Sequence, residues 1–222
     1  DLTGWVSDSC VFGGVLGGVG GGLSVAVSVG EQVGTAIGGG FSFDTPVVSS
    51  VTGVNGAATG RLSVTVLGSA FGFNDYCLGG RVGDTSCSDV EWTSDSAMRC
   101  KLQDGVMDRE SLGLRAVVSV AEQMGTLTHA FTYDEPSVGH FSAGLALNSP
   151  VTGAVSVTAV GAHFGAEDHT VAARVGGSGC VETEWSADSS VRCLGAGGIS
   201  GTRRVAVTVK TDVGTLSTFV SY

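Results

Sequence analysis

The stretch GRLSVTVLGSAFGFNDYCLGGRVGDTSCSDVEWTSDSAMRC, residues 60–100, returns 93 residues later as GAVSVTAVGAHFGAEDHTVAARVGGSGCVETEWSADSSVRC, residues 153–193. The two copies align without a gap and share Trp92 with Trp185, a set of glycines and a pair of cysteines. A repeat of this length has the size of one independent core, so we expect one domain per copy. Arrays of similar modules usually position other domains, span a distance or mediate adhesion, because catalysis rarely needs the same unit twice.

Short segments in which apolar and polar residues alternate predict an all-β chain. The clearest are Leu62–Val66 and Val205–Val209, where every second residue is apolar. This period of two is typical of strands with one face in a core and the other in water. The sequence has no long segment with helical periodicity, and its many Gly, Val, Ser and Thr residues suit short strands joined by tight turns.

The charge of the chain argues against nucleic acid as a partner. Its 222 residues include 11 Lys plus Arg and 21 Asp plus Glu, a net charge of −10. An acidic surface repels phosphate backbones, so no nucleic-acid binding is expected.

One uncharged stretch has the length of a membrane span. Ser9–Gly30 contains 22 residues without a charge, about the number that a helix needs to cross a bilayer. However, Leu23–Thr35 matches Leu114–Thr126, which has the pattern of a strand hairpin and carries Arg115. Eight glycines also lower the helix propensity of the stretch. We therefore expect no membrane span in this segment.

Four cysteines have the same spacing in both repeats. Cys87 and Cys100 are 13 residues apart, and so are Cys180 and Cys193. No Cys-x-x-Cys motif and no histidine at ligand spacing accompanies them, so the pattern favours two disulfides over a zinc site. Disulfides in turn indicate folding in an oxidising compartment.

The other two cysteines leave two alternatives open. Cys10 is the counterpart of Cys100 in a truncated repeat, with its partner upstream, or it bridges to Cys77 and locks adjacent modules together. The chain has no Asn-x-Ser/Thr sequon, so N-glycans are not expected, whereas O-glycosylation stays open.

Proline-started junctions set the domain boundaries. Phe131–Pro136 (FTYDEP) echoes Phe41–Pro46 (FSFDTP), which predicts domains at 46–135 and 136–222. In residues 1–45, Trp5 opens a WVSDS motif that parallels the WTSDS motif at Trp92. This segment is predicted to be the C-terminal half of an incomplete repeat, whose strands need partners from the same array or from another chain.

The ordered motifs resemble a known family. Gly68–Gly72 (GSAFG) and Gly161–Gly165 (GAHFG) come first, Arg81–Gly83 and its copy follow, and each repeat then carries its two cysteines and closes near an F-x-Y motif. This order is similar to that of the IPT/TIG domain, an immunoglobulin-like β-sandwich. The resemblance implies tandem β-sandwiches and bridged cysteines. It also implies settings such as receptor ectodomains, surface proteins, accessory modules of polysaccharide-active enzymes, or Rel-type transcription factors; the last is disfavoured because a basic recognition loop is missing.

Two groups of polar residues are candidate metal ligands. The first is a short cluster in the second repeat: His163, Glu167, Asp168 and His169. Because the first repeat has other residues at these positions except for one Asp, a solvated loop is the favoured interpretation. The second group is Asp44 with Asp134 and Glu135 at the junctions, where an acidic linker is favoured over calcium. The prediction is therefore no metal and no cofactor.

Neither a nucleophile motif nor a phosphate-binding loop occurs in the sequence, so no catalytic residue is expected. Trp92 and Trp185 each follow a glutamate. They form a repeated contact patch, or each covers the end of its own sandwich near the disulfide.

Together these patterns predict a non-enzymatic structural or adhesive segment of a long extracellular repeat array, in a cell surface or surface filament. Its expected partners are neighbouring repeats of the same protein or other surface and filament proteins. A receptor ectodomain that binds a protein ligand and an accessory module of a carbohydrate-active enzyme are the two alternatives.

Overall fold

The computed structural model describes residues 3–105, 113–143, 150–198, 201 and 203–220. All of the regular structure in these ranges is β-strand, which confirms the all-β prediction. Within the same ranges, no helix has the length and apolar character needed to cross a membrane, and Ser9–Gly30 contains strands and turns instead.

The N-terminal segment contains two separate antiparallel pairs. The strands are β1 Thr3–Ser7, β2 Cys10–Gly13, β3 Leu23–Val29 and β4 Gln32–Phe41. β1 pairs with β2, and β3 pairs with β4.

The middle unit, residues 47–133, has two sheets. Its strands are β5 Val47–Thr52, β6 Asn55–Gly56, β7 Ser63–Ser69, β8 Gly79–Val82, β9 Thr85–Ser86, β10 Asp89–Ser94, β11 Ala97–Lys101, β12 Leu114–Val120 and β13 Gln123–Tyr133. One sheet has the order β10-β11-β7-β5 and the other β6-β13-β12-β8-β9. One buried cluster takes residues from both sheets, including Val64 and Met98 from the first and Val118 from the second.

The C-terminal unit repeats this plan. Its strands are β14 Ser137–Ala143, β15 Ser156–Ala162, β16 Ala172–Val175, β17 Ser178–Gly179, β18 Glu182–Ala187, β19 Ser190–Leu194, β20 Arg203–Val209 and β21 Asp212–Val220. The sheet orders are β14-β15-β19-β18 and β17-β16-β20-β21. The predicted alternation in β20 places Val205, Val207 and Val209 fully in the core.

Strand register relates the N-terminal segment to the second half of a unit. Trp5 pairs with Val11 as Trp92 pairs with Met98, and both hairpins have a register shift directly after the tryptophan. The hairpin β3–β4 corresponds in the same way to β12–β13. The described residues 3–41 therefore contain counterparts of two strands from each of the two sheets of the middle unit.

These strands expose the side chains that a complete unit buries. Trp5 is 75% exposed, whereas Trp92 is half-buried. Val25 and Val27 are exposed, whereas the core-facing residues of β12 are buried. A cleft of about 690 Å³ separates the two strand pairs and is lined by apolar residues of both.

Candidate functional site: the junctions between units

Each disulfide ties the two sheets of its unit together. Cys87 and Cys100 are bonded with 5.5 Å between their Cα atoms, and Cys180 and Cys193 with 5.6 Å. In each pair the first cysteine follows a short strand of one sheet and the second lies in a central strand of the other. Both second cysteines are almost fully buried, so the bridges form part of the cores.

The other two cysteines, Cys10 and Cys77, are free and exposed, so the structure does not contain the Cys10–Cys77 bridge. The strand register also argues against Cys10 as the counterpart of Cys100. Cys10 pairs with Ser7 across the hairpin β1–β2 as Ala97 pairs with Ser94. Cys10 thus corresponds to Ala97, and Gly13 is the residue that corresponds to Cys100. Sequence comparison missed this because a truncated repeat gives few anchor residues for alignment.

The two tryptophans lie at equivalent places and are half-buried. Trp185 packs against the core cluster of its own unit. The indole Nε1 atoms of Trp92 and Trp185 are enclosed and have no hydrogen-bond partner among the described residues. A role as a contact patch stays a prediction.

The two complete units share one loop with the same backbone geometry. In the middle unit it runs from β7 to β8, and in the C-terminal unit from β15 to β16. Gly72 and Gly165 take positive φ angles of 97° and 96° in these loops. A Cβ atom on Gly72 would lie 2.6 Å from the ring of Tyr76, and one on Gly165 would lie 2.5 Å from the ring of His169. Glycine is therefore required at each position for two reasons: the backbone has a positive φ angle, and the neighbouring ring leaves no space for a Cβ atom.

At the first junction, this loop contacts the N-terminal segment. The Tyr76 hydroxyl donates a hydrogen bond to the carbonyl oxygen of Gly17, at 3.3 Å. Gln123 adds a second connection, since its side-chain amide donates to the Phe43 carbonyl at 3.1 Å and accepts from the Gly20 N–H at 3.3 Å. These hydrogen bonds are uncharged, and Val19 also packs against the core cluster of the middle unit.

At the second junction, the equivalent loop contacts the middle unit through two histidines that face aspartates. His169 Nε2 lies 3.6 Å from Asp104 Oδ2, and His163 Nδ1 lies 3.8 Å from Asp134 Oδ2. Asp134 also accepts a hydrogen bond from the Asn55 amide at 2.5 Å. Ala58, which is fully buried, packs against the core cluster of the C-terminal unit.

The two junctions use equivalent positions of the repeat. A Cβ on Gly18 would meet the ring of Phe43, and one on Gly105 would meet the ring of Tyr133, at 2.7 and 2.5 Å. The residue before each glycine, Gly17 or Asp104, is the one that faces the neighbouring loop. Position 17 thus corresponds to position 104, as position 76 corresponds to position 169.

The structure divides the four candidate metal ligands of the second repeat. Glu167 and His169 come together with Asp104, and one potential ligand atom from each lies within 4.8 Å of the others. Asp168 instead accepts a hydrogen bond from the Val171 N–H at 3.1 Å, and His163 faces Asp134. At the junctions Asp44 and Glu135 are exposed.

Asp104 was not recognised from the sequence because it lies in the other repeat, 65 residues before His169. The sequence does carry one signal, because two residues of the cluster differ from their counterparts in the other repeats. Asp104 occupies the position of Gly17 and Gly197, and His169 occupies the position of Tyr76.

Asp104 also acts on a buried tyrosine. The Tyr133 hydroxyl donates to the Gln103 carbonyl at 3.0 Å. Burial, and then the negative charge of Asp104, raise the pKa of Tyr133 to about 12. Both effects disfavour the phenolate, so this tyrosine stays neutral over the ordinary pH range.

With these motifs in place, the comparisons with known proteins settle the family. The IPT/TIG domain model matches residues 46–133 and 146–222. The chain belongs to the IPT/TIG domain family. The resemblance inferred from the glycine, phenylalanine and cysteine motifs is thereby confirmed. A comparison with curated proteins gave no match.

Several solved structures are similar to the chain at low sequence identity. A surface glycan-binding protein, PbSGBP-B from Prevotella bryantii, is 12% identical with a TM-score of 0.50, over 79% of this chain and 42% of that protein. The plexin A4 extracellular region, domains 1 to 8, is 16% identical with a TM-score of 0.38, over 80% of this chain and 18% of that one. The titin Ig tandem A164-A165 is 8% identical with a TM-score of 0.33, over 80% of this chain and 96% of that one. The chain thus spans less than half of the first two proteins.

Proposed function

We propose that this chain is a non-enzymatic structural or adhesive segment of a long extracellular array of IPT/TIG β-sandwiches. Residues 46–135 and 136–222 are two complete domains of this array, and residues 1–45 are the C-terminal half of another. Its partners are neighbouring repeats and other surface or filament proteins.

The observation that carries this proposal is the use of one junction geometry twice in the chain. The loop of each complete unit meets the same position of the preceding unit, at Tyr76 with Gly17 and at His169 with Asp104. A module that contacts its predecessor and its successor through fixed positions is able to extend without limit, as solenoids and other repeat proteins do.

The covalent structure supports an extracellular setting. Each domain is closed by one disulfide between its sheets. Such bonds persist in oxidising compartments and are rare in the cytosol. They also compensate for small cores rich in Gly and Val, such as those seen here.

The exposed strands of residues 3–41 support a continuation of the array at this end. Two pairs of strands with apolar side chains face an open cleft, and a lone strand pair is at best marginally stable in water. Strands from a preceding half-repeat, or from another chain, complete this sandwich in the proposed array.

Small-angle X-ray scattering on chains with increasing numbers of repeats tests the proposal. The maximum dimension is expected to rise by a constant increment per repeat, because each unit contacts only its neighbours. A series whose units fold back on one another, with no regular increment, contradicts the array. Saturable binding of the 222-residue chain to a glycan at micromolar concentration, with no such increment, supports the accessory-module alternative instead.

A further inference from the structure

We propose that the second junction binds a divalent transition-metal ion, Zn²⁺, through Asp104 of the middle unit and Glu167 and His169 of the C-terminal unit. Such a site would join two consecutive units through one ion. Zinc binding does not depend on the array role, and the two are tested separately.

The side chains already have near-coordinating geometry. Asp104 Oδ2 and His169 Nε2 are 3.6 Å apart. Two ligands of a tetrahedral zinc ion with bonds of about 2.1 Å lie about 3.4 Å from each other. All three ligand atoms lie within 4.8 Å of one another. Glu167 is exposed, so the packing of the core does not restrict movement of its flexible side chain toward the ion.

The imidazole of His169 supplies independent support for a ligand. Its side chain is only 12% exposed. Its Nε2 atom is enclosed and has no hydrogen-bond partner among the described residues. An enclosed nitrogen without a hydrogen-bond partner destabilises the fold, and a bound ion would supply the missing partner. The nitrogen is oriented toward Asp104, so the ligand would occupy the space between the two units.

The backbone holds this ring in place. The ring of His169 rests on Gly165, where a Cβ would lie 2.5 Å from its Cδ2 atom. Asp188 fixes the same turn by accepting a hydrogen bond from the Gly165 N–H at 3.0 Å. The ligand nitrogen is therefore positioned before an ion arrives, which lowers the entropic cost of binding.

The donor set favours zinc over calcium or magnesium. Calcium takes six to eight oxygen ligands, and magnesium usually keeps several waters in an octahedral shell of oxygens. One imidazole with two carboxylates and a water gives zinc four ligands of the types it prefers.

The first junction provides an internal comparison without these ligands. Tyr76 and Gly17 stand at the positions of His169 and Asp104, and they are joined by an ordinary hydrogen bond. The chain thus offers a neutral junction and a junction with three ligands at equivalent positions of the repeat.

Isothermal titration of the 222-residue chain with ZnCl₂ at pH 7.5, after treatment with EDTA and dialysis, tests the proposal. One zinc ion per chain is expected. His169→Tyr, which installs the residue of the first junction, and Glu167→Gln are each expected to weaken binding at least about tenfold. His140→Gln and Asp168→Asn are matched controls, since they remove an exposed imidazole and a neighbouring carboxylate outside the cluster, and both should bind as the parent chain does.

Several outcomes would overturn the site. Equal zinc affinity in the parent and His169→Tyr chains would show binding elsewhere, as would a loss of affinity in His140→Gln. Calcium or magnesium binding as tight as that of zinc would reject the assignment of the ion. Because Glu167 is exposed, Glu167→Gln leaves folding intact and keeps the test valid should His169→Tyr fold poorly. Zinc should also raise the thermal midpoint of the parent chain and leave that of His169→Tyr unchanged.

Discussion

The carboxylate of Asp95 accepts a hydrogen bond from the backbone N–H of Gly72, with 3.0 Å between Oδ1 and nitrogen. Asp188 and Gly165 make the same bond at the same distance. The N–H of Phe71 also donates to the Asp95 carbonyl at 2.9 Å. These bonds explain why the W-x-x-D-S and G-x-x-F-G motifs recur together: the aspartate of one holds the turn of the other.

Replacement of Asp95 by alanine is expected to loosen this turn and to lower the free energy of unfolding by about 1.5–3 kcal/mol, the net value of a hydrogen bond to a charged group. Asp95→Asn keeps an acceptor and should cost less. Residue-resolved hydrogen exchange checks this at the Gly72 amide, which should lose protection in Asp95→Ala. The Gly165 amide of the same molecule is the control, and equal loss at both glycines would contradict a local effect.

Tyr133 is expected to ionise only at strongly alkaline pH, since burial and the negative charge of Asp104 raise its pKa to about 12. The unfolded value is about 10, so the neutral form is favoured by the fold. Its contribution to stability is complete below pH 10 and is lost as the pH rises toward 12, by about 2–3 kcal/mol. Urea unfolding between pH 9 and 12, in EDTA, measures this loss.

Two variants isolate the cause of that pH dependence. Tyr133→Phe removes the phenol and should flatten the stability profile between pH 10 and 12. Asp104→Asn removes the negative charge and should lower the pKa of Tyr133 in an ultraviolet difference titration. An unchanged pKa in Asp104→Asn would leave burial as the whole cause.

Non-reducing peptide mapping is expected to recover the pairs Cys87–Cys100 and Cys180–Cys193, with Cys10 and Cys77 alkylated as free thiols. Replacing both members of one pair by alanine should destabilise that unit by about 3 kcal/mol, because each bond closes a short loop in the unfolded chain. Free thiols at the four paired positions would contradict both the bridges and the extracellular setting.

Residues 3–41 are expected to exchange their amide hydrogens quickly in a dilute monomer. Val25, Val27 and Val29 are all exposed, so burial offsets little of the backbone entropy of about 1–2 kcal/mol per residue. Buried positions in β12 and β20, such as Val118 and Val207, should stay protected in the same experiment. Slow exchange at the three N-terminal valines would show that this segment is stable on its own contacts with the middle unit.

The repeat made the fold predictable from sequence, because two copies separate what the module needs from what varies. Phe71 and Phe164 were in register in the sequence and both are fully buried. The paired cysteines were found by the same comparison. Where only half a repeat exists, the comparison is weak, and Cys10 was aligned with the wrong residue.

The junction chemistry was not predictable in the same way. It depends on contacts between residues far apart in the chain, such as Asp104 with His169, which no local pattern encodes. Repeat comparison even argued against the cluster, since residues that differ between copies are read as dispensable. At a contact between units, however, the residues that differ between copies are the ones that make one junction chemically distinct from the next.

The disulfides have a consequence for a chain that is pulled from its ends. When force unravels the middle unit, the residues between Cys87 and Cys100 cannot extend, because the bond carries the tension past them. The bypassed loop spans 13 residues, worth about 45 Å of extended chain. Since the bonded Cα atoms are 5.5 Å apart, unfolding of one unit lengthens the chain by about 40 Å less than it would without the disulfide. In a force–extension record, reduction should therefore lengthen every unfolding step by that amount.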